Sequence, residues 1–511
     1  IGSGMGGLVA SALLSKLGRK VLVLEQHYVP GGFTHTFKRH DYVFDVGVHA
    51  VGEMTKRSML GRMLAALTDD RLKWASLGSV YDSFQMPDGL RVDFPNNPQQ
   101  FRENLIRAFP REAKAIDEYF RIAREVMVDM RAFYMSRVLS PSIGMIAEKL
   151  FAQKARQHIS TTVADVTSRL TSDPRLRAML AAQWGYYGST PSRASFVIQA
   201  LVVKHFLWGG YYPVGGSSRI AHEMLRTVAN AGGWTRVRAD VREVIIEGGR
   251  AVGVRLSDGE DLRATTIISS IGAPSTIAKL LPESMRHAKW AKEIQQLHPA
   301  PAHVCLYLGF KGDIREAGAS STNLWFYNTW DLEHGAWQIS PSAPNAIIPA
   351  LYVSFCSLKD PTYDPGLEQI HTCEAVTFIP WETFLTWRDK RWKQRGESYE
   401  EFKQNMQEVM LEQLLRRLPR LRPMLKYVEL STPLSSEHFV RPLNGSIYGL
   451  ESSPERFSCR WLRPKTMVPG LFLAGVDAIA PGIAGAATGG VLAGISLAPF
   501  DALRWLRSNV T

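Results

Sequence analysis

Ile1-Gly2-Ser3-Gly4-Met5-Gly6-Gly7 runs into the apolar stretch Leu8-Val9-Ala10-Ser11-Ala12-Leu13-Leu14 and, past Gly18, into Lys20-Val21-Leu22-Val23-Leu24-Glu25. This reads as a glycine loop, a helix of small apolar residues, a strand and an acidic strand end. A dinucleotide pyrophosphate needs each part. Gly2 makes the tight turn, Gly4 lets backbone approach the phosphates, Gly7 lets the helix lie against the strand, and the helix N-terminus faces the anion. Gly6 completes the loop. Glu25 lies 25 − 7 = 18 positions after the third glycine, where a carboxylate can accept both ribose hydroxyls of an adenosine half, and Gln26 follows it. A glycine loop alone often only connects elements; the helix, strand and acid in their places make this one specific. Ile1 takes the place of the last residue of the central strand, so the natural chain is expected to extend upstream.

Working outward, Pro30-Gly31-Gly32-Phe33 and then Tyr42-Val43-Phe44-Asp45-Val46-Gly47-Val48-His49 supply a second glycine pair and a short strand. Rossmann domains that hold only NAD do not need such a segment. Two-dinucleotide-binding flavoproteins use a glycine pair here to bring backbone amides to FAD, although Gly31-Gly32 alone reads equally well as an ordinary turn. From Tyr211 to Ala273 the text predicts a helix over about Ser217 to Ala231, then short strands broken at Gly248-Gly249 and Ser257-Asp258-Gly259, both hairpin chemistries. Val241 is placed where such a meander approaches the adenine. Near the C-terminus, Gly470-Leu471-Phe472-Leu473-Ala474-Gly475-Val476-Asp477 reads as a buried strand ending in a carboxylate, and Ala484-Gly485-Ala486-Ala487 enters a helix.

The 23 residues from Ala478 to Phe500 carry no charge, long enough to span a bilayer by the roughly 20-residue criterion. Pro481 and five glycines within the run, with Asp477 just before it, instead predict a buried helix whose small face admits backbone or cofactor.

These blocks resemble the FAD-dependent amine oxidase and phytoene desaturase superfamily, and within it the retinol saturase and carotenoid isomerase branch. The resemblance spans nearly the whole chain. Its more specific parts are Leu24-Glu25-Gln26-His27, Phe44-Asp45-Val46-Gly47-Val48-His49, Tyr187-Gly188-Ser189-Thr190-Pro191-Ser192, Gly209-Gly210-Tyr211-Tyr212-Pro213 and Ser431-Thr432-Pro433-Leu434. It implies an α/β fold with a two-dinucleotide-binding Rossmann FAD domain and an inserted α+β substrate domain. The expected division is 1–75, 213–285 and 440–511 for FAD, with 76–212 and 286–439 for substrate. It also implies that Asp477 bonds a ribityl hydroxyl of FAD, and that the helix entered at Gly485 and Ala486 points its N-terminus at the flavin pyrimidine edge, where its dipole stabilises the reduced form.

Composition narrows the alternatives. The 511 residues are 45% hydrophobic and 21% charged, without a repeat, so a large globular core is expected and a solenoid or disordered chain is excluded. The net charge of +12 suits an anionic surface or ligand, but no nucleic-acid module accompanies it and no nucleic-acid partner is expected. Cys305, Cys356, Cys373 and Cys459 form no C-x-x-C pair, so neither a disulfide framework nor a zinc ribbon is encoded, and a reducing, cytoplasmic setting is the default. No metal-ligand spacing, serine nucleophile elbow or P-loop appears. One glycine fingerprint without a second leaves no obvious NADPH domain, so electrons come from a transient donor, from a separate reductase, or not at all in net terms.

The substrate region is dense in aromatics around Trp184, Tyr186, Tyr187, Phe206, Trp208, Tyr211 and Tyr212, which suits an apolar polyene lying against the flavin; for any one ring, plain packing is the commoner role. Trp381, Phe384, Leu385 and Trp392, among basic neighbours in 378–395, suit either an amphipathic packed helix or a peripheral membrane surface. The reaction expected is reduction of a carbon–carbon double bond in a long apolar isoprenoid, with desaturation or cis–trans isomerisation as alternatives. His49, Tyr187, Tyr211 and Tyr212 are the candidate catalytic groups, with Tyr186 a further candidate acid, and His205 and His222 read as structural. A flavin-containing lipid carrier without chemistry, and oxidation of an amine, are the readings from other classes.

Overall fold

The computed structural model describes residues 1–510. At its centre Ile1 and Gly2 lie between two parallel strand pairs. Leu22–Leu24 pairs with Trp234–Arg236, and Ile267–Ser269 with Leu471–Leu473. Gly2 N donates to Leu24 O at 2.8 Å, and Ser270 N to Ile1 O at 2.9 Å, which joins the pairs across the first two residues. The hairpin turns expected at 248–249 and 257–259 close the antiparallel strands Val241–Glu247, Arg250–Leu256 and Asp261–Arg263.

The first helix, Met5–Lys16, is apolar on all sides and buried along almost its whole length, as a helix sandwiched between layers must be. Gly18 ends it at φ +75°, with Arg19 N donating to Leu14 O at 3.0 Å. The predicted glycine-rich helix is Gly482–Leu497. It packs directly on the first helix: a Cβ at Gly490 would lie 2.5 Å from Gly6 O, and one at Gly489 would lie 2.4 Å from Gly475 O. The small face therefore serves close backbone packing, and among the described residues no helix is long and apolar enough to cross a membrane.

Segments 80–95 and 302–431 share one seven-stranded sheet, in the order Leu425–Ser431, Ala302–Lys311, Ile370–Ile379, Ala350–Ser354, Asn323–Tyr327, Val80–Gln85, Arg91–Pro95. The alternation of strand side chains puts two rows on one face. Phe84 pairs with Trp325, Trp325 with Tyr352, and Tyr352 with Val376 to make an apolar row. Two residues along each strand, Asp82 pairs with Asn323 and Ser354 with Glu374 to make a polar one. A long helix runs from Ala113 to Ser136 and packs its buried Tyr119 and Val126 stripe on the helix Phe196–Phe206.

The aromatic segment of 378–395 is divided: of the four residues singled out in sequence, Trp381 and Phe384 are buried, and Leu385 and Trp392 are exposed. Trp381, Phe384 and Trp387 are buried on a 3-10 helix, and Trp387 stacks on Phe402 at 5.6 Å, because the helix Glu397–Arg417 lays its own apolar stripe over them. Trp392, on the same segment, stacks on His438 at 4.9 Å.

Candidate active site

One cavity runs from the glycine loop to the apolar row of the large sheet. Its wall includes Gly2, Gly4, Gly6, Glu25, Gln26, Gly31, Gly32 and His49, together with Val241, Gly475, Asp477 and Ala486. Residues as distant in sequence as Gly2 and Ala486 are thus assembled around one space. Gly7 and Gly485 lie behind the wall. A Cβ at Gly7 would sit 2.2 Å from Gly2 O, which is the close helix-to-turn packing expected of the third glycine.

The dinucleotide end is built from backbone. Gly2 has φ +84°, a conformation only glycine adopts freely, and a side chain at Gly4 would project into open space. The helices at Met5 and Gly482 both begin without a side-chain cap and without an acid in the first turn, so their orphan amides and positive dipole ends are left for an anionic ligand. Ser3, which no sequence signal marked, is the clasp. Its backbone N and Oγ donate to Glu25 Oε2 at 2.9 and 2.6 Å, and Oγ accepts from Gly31 N at 2.9 Å. One hydroxyl thereby joins the first glycine loop, the acid and the second glycine pair. His27 N donates to Glu25 Oε1 at 2.8 Å, and Gln26 Nε2 to Phe439 O at 2.8 Å. A buried ring nitrogen, His303 Nδ1, has no protein partner and belongs to the same cavity's wall, as expected where a polar ligand completes the site. These features fit FAD.

Asp477 is more committed than the sequence suggested. Its two carboxylate oxygens accept from Ala273 N at 2.8 Å and Leu450 N at 3.0 Å, so it first stitches three segments together and meets a ligand only with its remaining lone pairs.

Of the candidate tyrosines only Tyr186 reaches the wall. Tyr187 turns the opposite way and donates to Gln199 Oε1 at 2.7 Å, inside the helical layer. Tyr212 spends its hydroxyl on Asp45, and Tyr211 pairs at a sheet edge with its hydroxyl donating to Trp208 O at 3.3 Å. None of these three lines the cavity; Tyr187 parts from Tyr186 because consecutive residues of a tightly turned chain point to different sides. His205 reaches the cavity wall with its Nε2 accepting from Gly52 N at 2.8 Å, and His222, away from the wall, lies beside Glu223.

Behind Tyr186 and His49 lies a buried polar cluster. The Tyr186 hydroxyl approaches both Asp82 oxygens, Asn323 Nδ2 donates to Asp82 Oδ1 at 2.9 Å, and Lys359 Nζ donates to Asn323 Oδ1, to Ser354 Oγ at 2.7 Å and to His49 O at 2.7 Å. All three ammonium donors are used. Burial lifts the Asp82 carboxyl to about 6 against the hydrogen bonds of Asn323 and Tyr186. Burial, helped by the Lys359 charge, drops the His49 imidazole to about 3, so His49 is neutral at pH 7 and does not fit the role of proton donor. Burial raises the Asp45 carboxyl, partly offset by the hydroxyls of Ser217 and Tyr212 that donate to it, and Glu374 beside it is pushed up to about 8 by burial and by Asp45. His49, Cys356 and Glu374 bring ligand-type atoms within 4.8 Å of one another, a grouping hidden in sequence by their separation; Lys359 is the cation built into that region.

Comparison with known proteins matches residues 5–373 to the family of flavin containing amine oxidoreductases. The chain is 30% identical to all-trans-retinol 13,14-reductase of Danio rerio, covering 97% of this chain and 84% of that one. It is 25% identical to chloroplastic prolycopene isomerase 2 of an Oncidium hybrid cultivar, over 88% of this chain and 74% of that one. Among solved structures, a putrescine oxidase variant superimposes with a TM-score of 0.64 at 15% identity, covering 98% of both chains, a likeness of fold.

Proposed function

The chain belongs to the flavin containing amine oxidoreductase family and is an FAD-dependent oxidoreductase, and from that premise we propose that it reduces a carbon–carbon double bond in a long, apolar polyene or isoprenoid. The observation that carries this reading is the wall opposite the dinucleotide end. Trp325, the Tyr352 ring, Val376 and Phe378 offer an apolar lane, and of the three wall tyrosines, Tyr186, Tyr352 and Tyr448, Tyr186 is the one whose hydroxyl bonds a carboxylate. An amine oxidase would instead want a carboxylate in the lane to hold the ammonium group.

When bound, FAD supplies the hydride equivalent for one alkene carbon. Tyr186 supplies the proton for the other: its O–H bond breaks as the C–H bond forms, and the phenolate is reprotonated from Asp82. Asn323 and Lys359 are positioning residues, tying Asp82 to the His49 backbone through one chain of hydrogen bonds. The neutral His49 ring, 5.5 Å from the Tyr352 ring, contributes shape without placing a charge against an apolar substrate. In the reverse direction the same pair would accept the proton.

The reading includes the division into an FAD part (1–75, 213–285, 440–511) and a substrate part (76–212, 286–439), an external electron donor, and peripheral attachment to a membrane, where such a substrate resides. Isomerisation is the second reading. It is supported by the single dinucleotide fingerprint, since an isomerase needs no stoichiometric electron donor. The test is to mix anaerobic, photoreduced enzyme with all-trans-retinol or a carotenoid. Flavin reoxidation with a blue-shifted polyene supports reduction, a polyene change without reoxidation supports isomerisation, and silence in both channels refutes both for these substrates.

A further inference from the structure

The helix Pro141–Phe151 is built inside out. Pro141, Gly144 and Glu148, spaced three and four apart, face the body of the protein, while Ile143, Ile146 and Leu150 on the opposite side are 58, 62 and 64% exposed, and Phe151 at the helix end is 73% exposed. A helix resting on a protein core in water places these residue types the other way round.

The inward face is polar by construction. Glu148 lies among Arg137 at 3.4 Å and Arg463 at 3.3 Å, both buried, and accepts from Ser136 Oγ at 3.1 Å. Gly144 is where Arg463 passes, since a Cβ there would sit 2.1 Å from that guanidinium. Arg137 continues inward to the carbonyls of Phe457 and Cys459, each at 2.8 Å. The helix is therefore pinned by charges from beneath, with its apolar side turned outward. Met135 and Leu139, 49 and 36% exposed on the preceding segment, extend that side.

Charge points to what covers it. Between residues 131 and 157 the only acid is Glu148, which is turned inward, against five bases, Arg131, Arg137, Lys149, Lys154 and Arg156. Lys149 and Lys154 are exposed beside Leu150 and Phe151. Large apolar side chains flanked by the exposed Lys149 and Lys154, with no exposed acid between residues 131 and 157, match the boundary between acyl chains and anionic headgroups. We propose that the Pro141–Phe151 helix, and not the segment 378–395, is the face that docks on an anionic lipid surface. This rests on the peripheral attachment in the reading above but not on the reaction, because vesicle binding needs no turnover.

The experiment is flotation of the FAD-loaded full chain with vesicles of phosphatidylcholine containing phosphatidylglycerol. Wild type is expected to float with them, less so as salt rises. Ile146→Asp and Phe151→Asp are each expected to lower partitioning about tenfold or more, with flavin absorbance retained, while Trp392→Ala floats like wild type. An Ile146→Trp variant, which removes no contact with the body, is expected to show tryptophan quenching by brominated lipid. Three results would overturn the proposal: wild type that stays with the unbound fraction, binding that survives Ile146→Asp and Phe151→Asp, or a solution dimer by light scattering that Ile146→Asp splits.

Discussion

The Tyr186 hydroxyl lies 2.8 and 3.0 Å from the two carboxylate oxygens of Asp82, so one phenol stands between a buried acid and the cavity. Protonated Asp82 can return a proton to Tyr186. Ionised Asp82 instead holds the phenol proton and, with burial, raises the phenol far above its usual value.

Tyr186→Phe should therefore lose proton delivery while keeping flavin. A drop of about 10²- to 10⁴-fold in the rate of anaerobic flavin reoxidation by polyene is expected, with an unchanged flavin spectrum. A variant as fast as wild type would remove Tyr186 from the chemistry.

The pH dependence has a definite sign. Because burial raises the Asp82 carboxyl to about 6, the reductive rate should be highest below that value and fall as pH rises through it. Asp82→Asn cannot ionise and should give a slow, flat profile across the same range. Stopped-flow rates between pH 5 and 8 decide the point, and an inflection near 6 that persists in the variant would assign it to another group.

Ser3→Ala should weaken FAD retention without touching the substrate lane. It removes two buried hydrogen bonds, to Glu25 and from Gly31, at a cost of about 1–3 kcal/mol. Titration of apoprotein with FAD should show an affinity lower by roughly tenfold or more.

Gly490→Ala places a Cβ 2.5 Å from Gly6 O in a helix contact that cannot widen without displacing the glycine loop. Chemical denaturation should report a loss of about 3 kcal/mol. An unchanged midpoint would mean that the two helices are less closely apposed than they are here.

Lys359→Met and Glu374→Gln should behave oppositely. The first strips three buried acceptors of their donor and should cost about 3 kcal/mol or more. The second replaces a carboxyl already protonated in the folded state and should be mild at pH 7. Since the Glu374 carboxyl is raised on folding, its own contribution to stability should fall as pH rises from about 4.5, against the opposite contribution of the lowered His49 imidazole, and Glu374→Gln should remove that falling contribution relative to wild type. Denaturation midpoints across pH measure both effects.

The cofactor half was legible because its chemistry is local. A pyrophosphate site is made of a turn, a helix start and a strand end within 25 residues, and each requirement leaves a residue type at a set spacing, as Gly2, Gly4, Gly7 and Glu25 do. Ser3 escaped notice because a serine among glycines is unremarkable until Glu25 and Gly31 are folded around it.

The substrate half was less legible, since its groups meet only across strands. Asp82, Asn323, Ser354 and Lys359 are single polar residues in unrelated stretches, made into one cluster by the register of the large sheet. The same holds for Tyr186 against Tyr187, neighbours of identical chemistry separated by which way the chain turns. Trp381 and Phe384 suited either packing or a membrane surface in sequence, and the helix Glu397–Arg417 that covers them decides for packing; the outward turn of Ile146 and Phe151 left no sequence signal, because it is Arg137 and Arg463 that claim the inner face of their helix.

By itself the sequence determined the Rossmann-type flavin fold, because glycine spacing and an acid at a strand end express contacts between near neighbours along the chain. Which hydroxyl-bearing side chain reaches the cavity wall, which carboxyl stands behind it and which apolar face looks outward were decided by tertiary structure alone, because direction and burial are properties of packing between distant segments that no residue carries in its own identity.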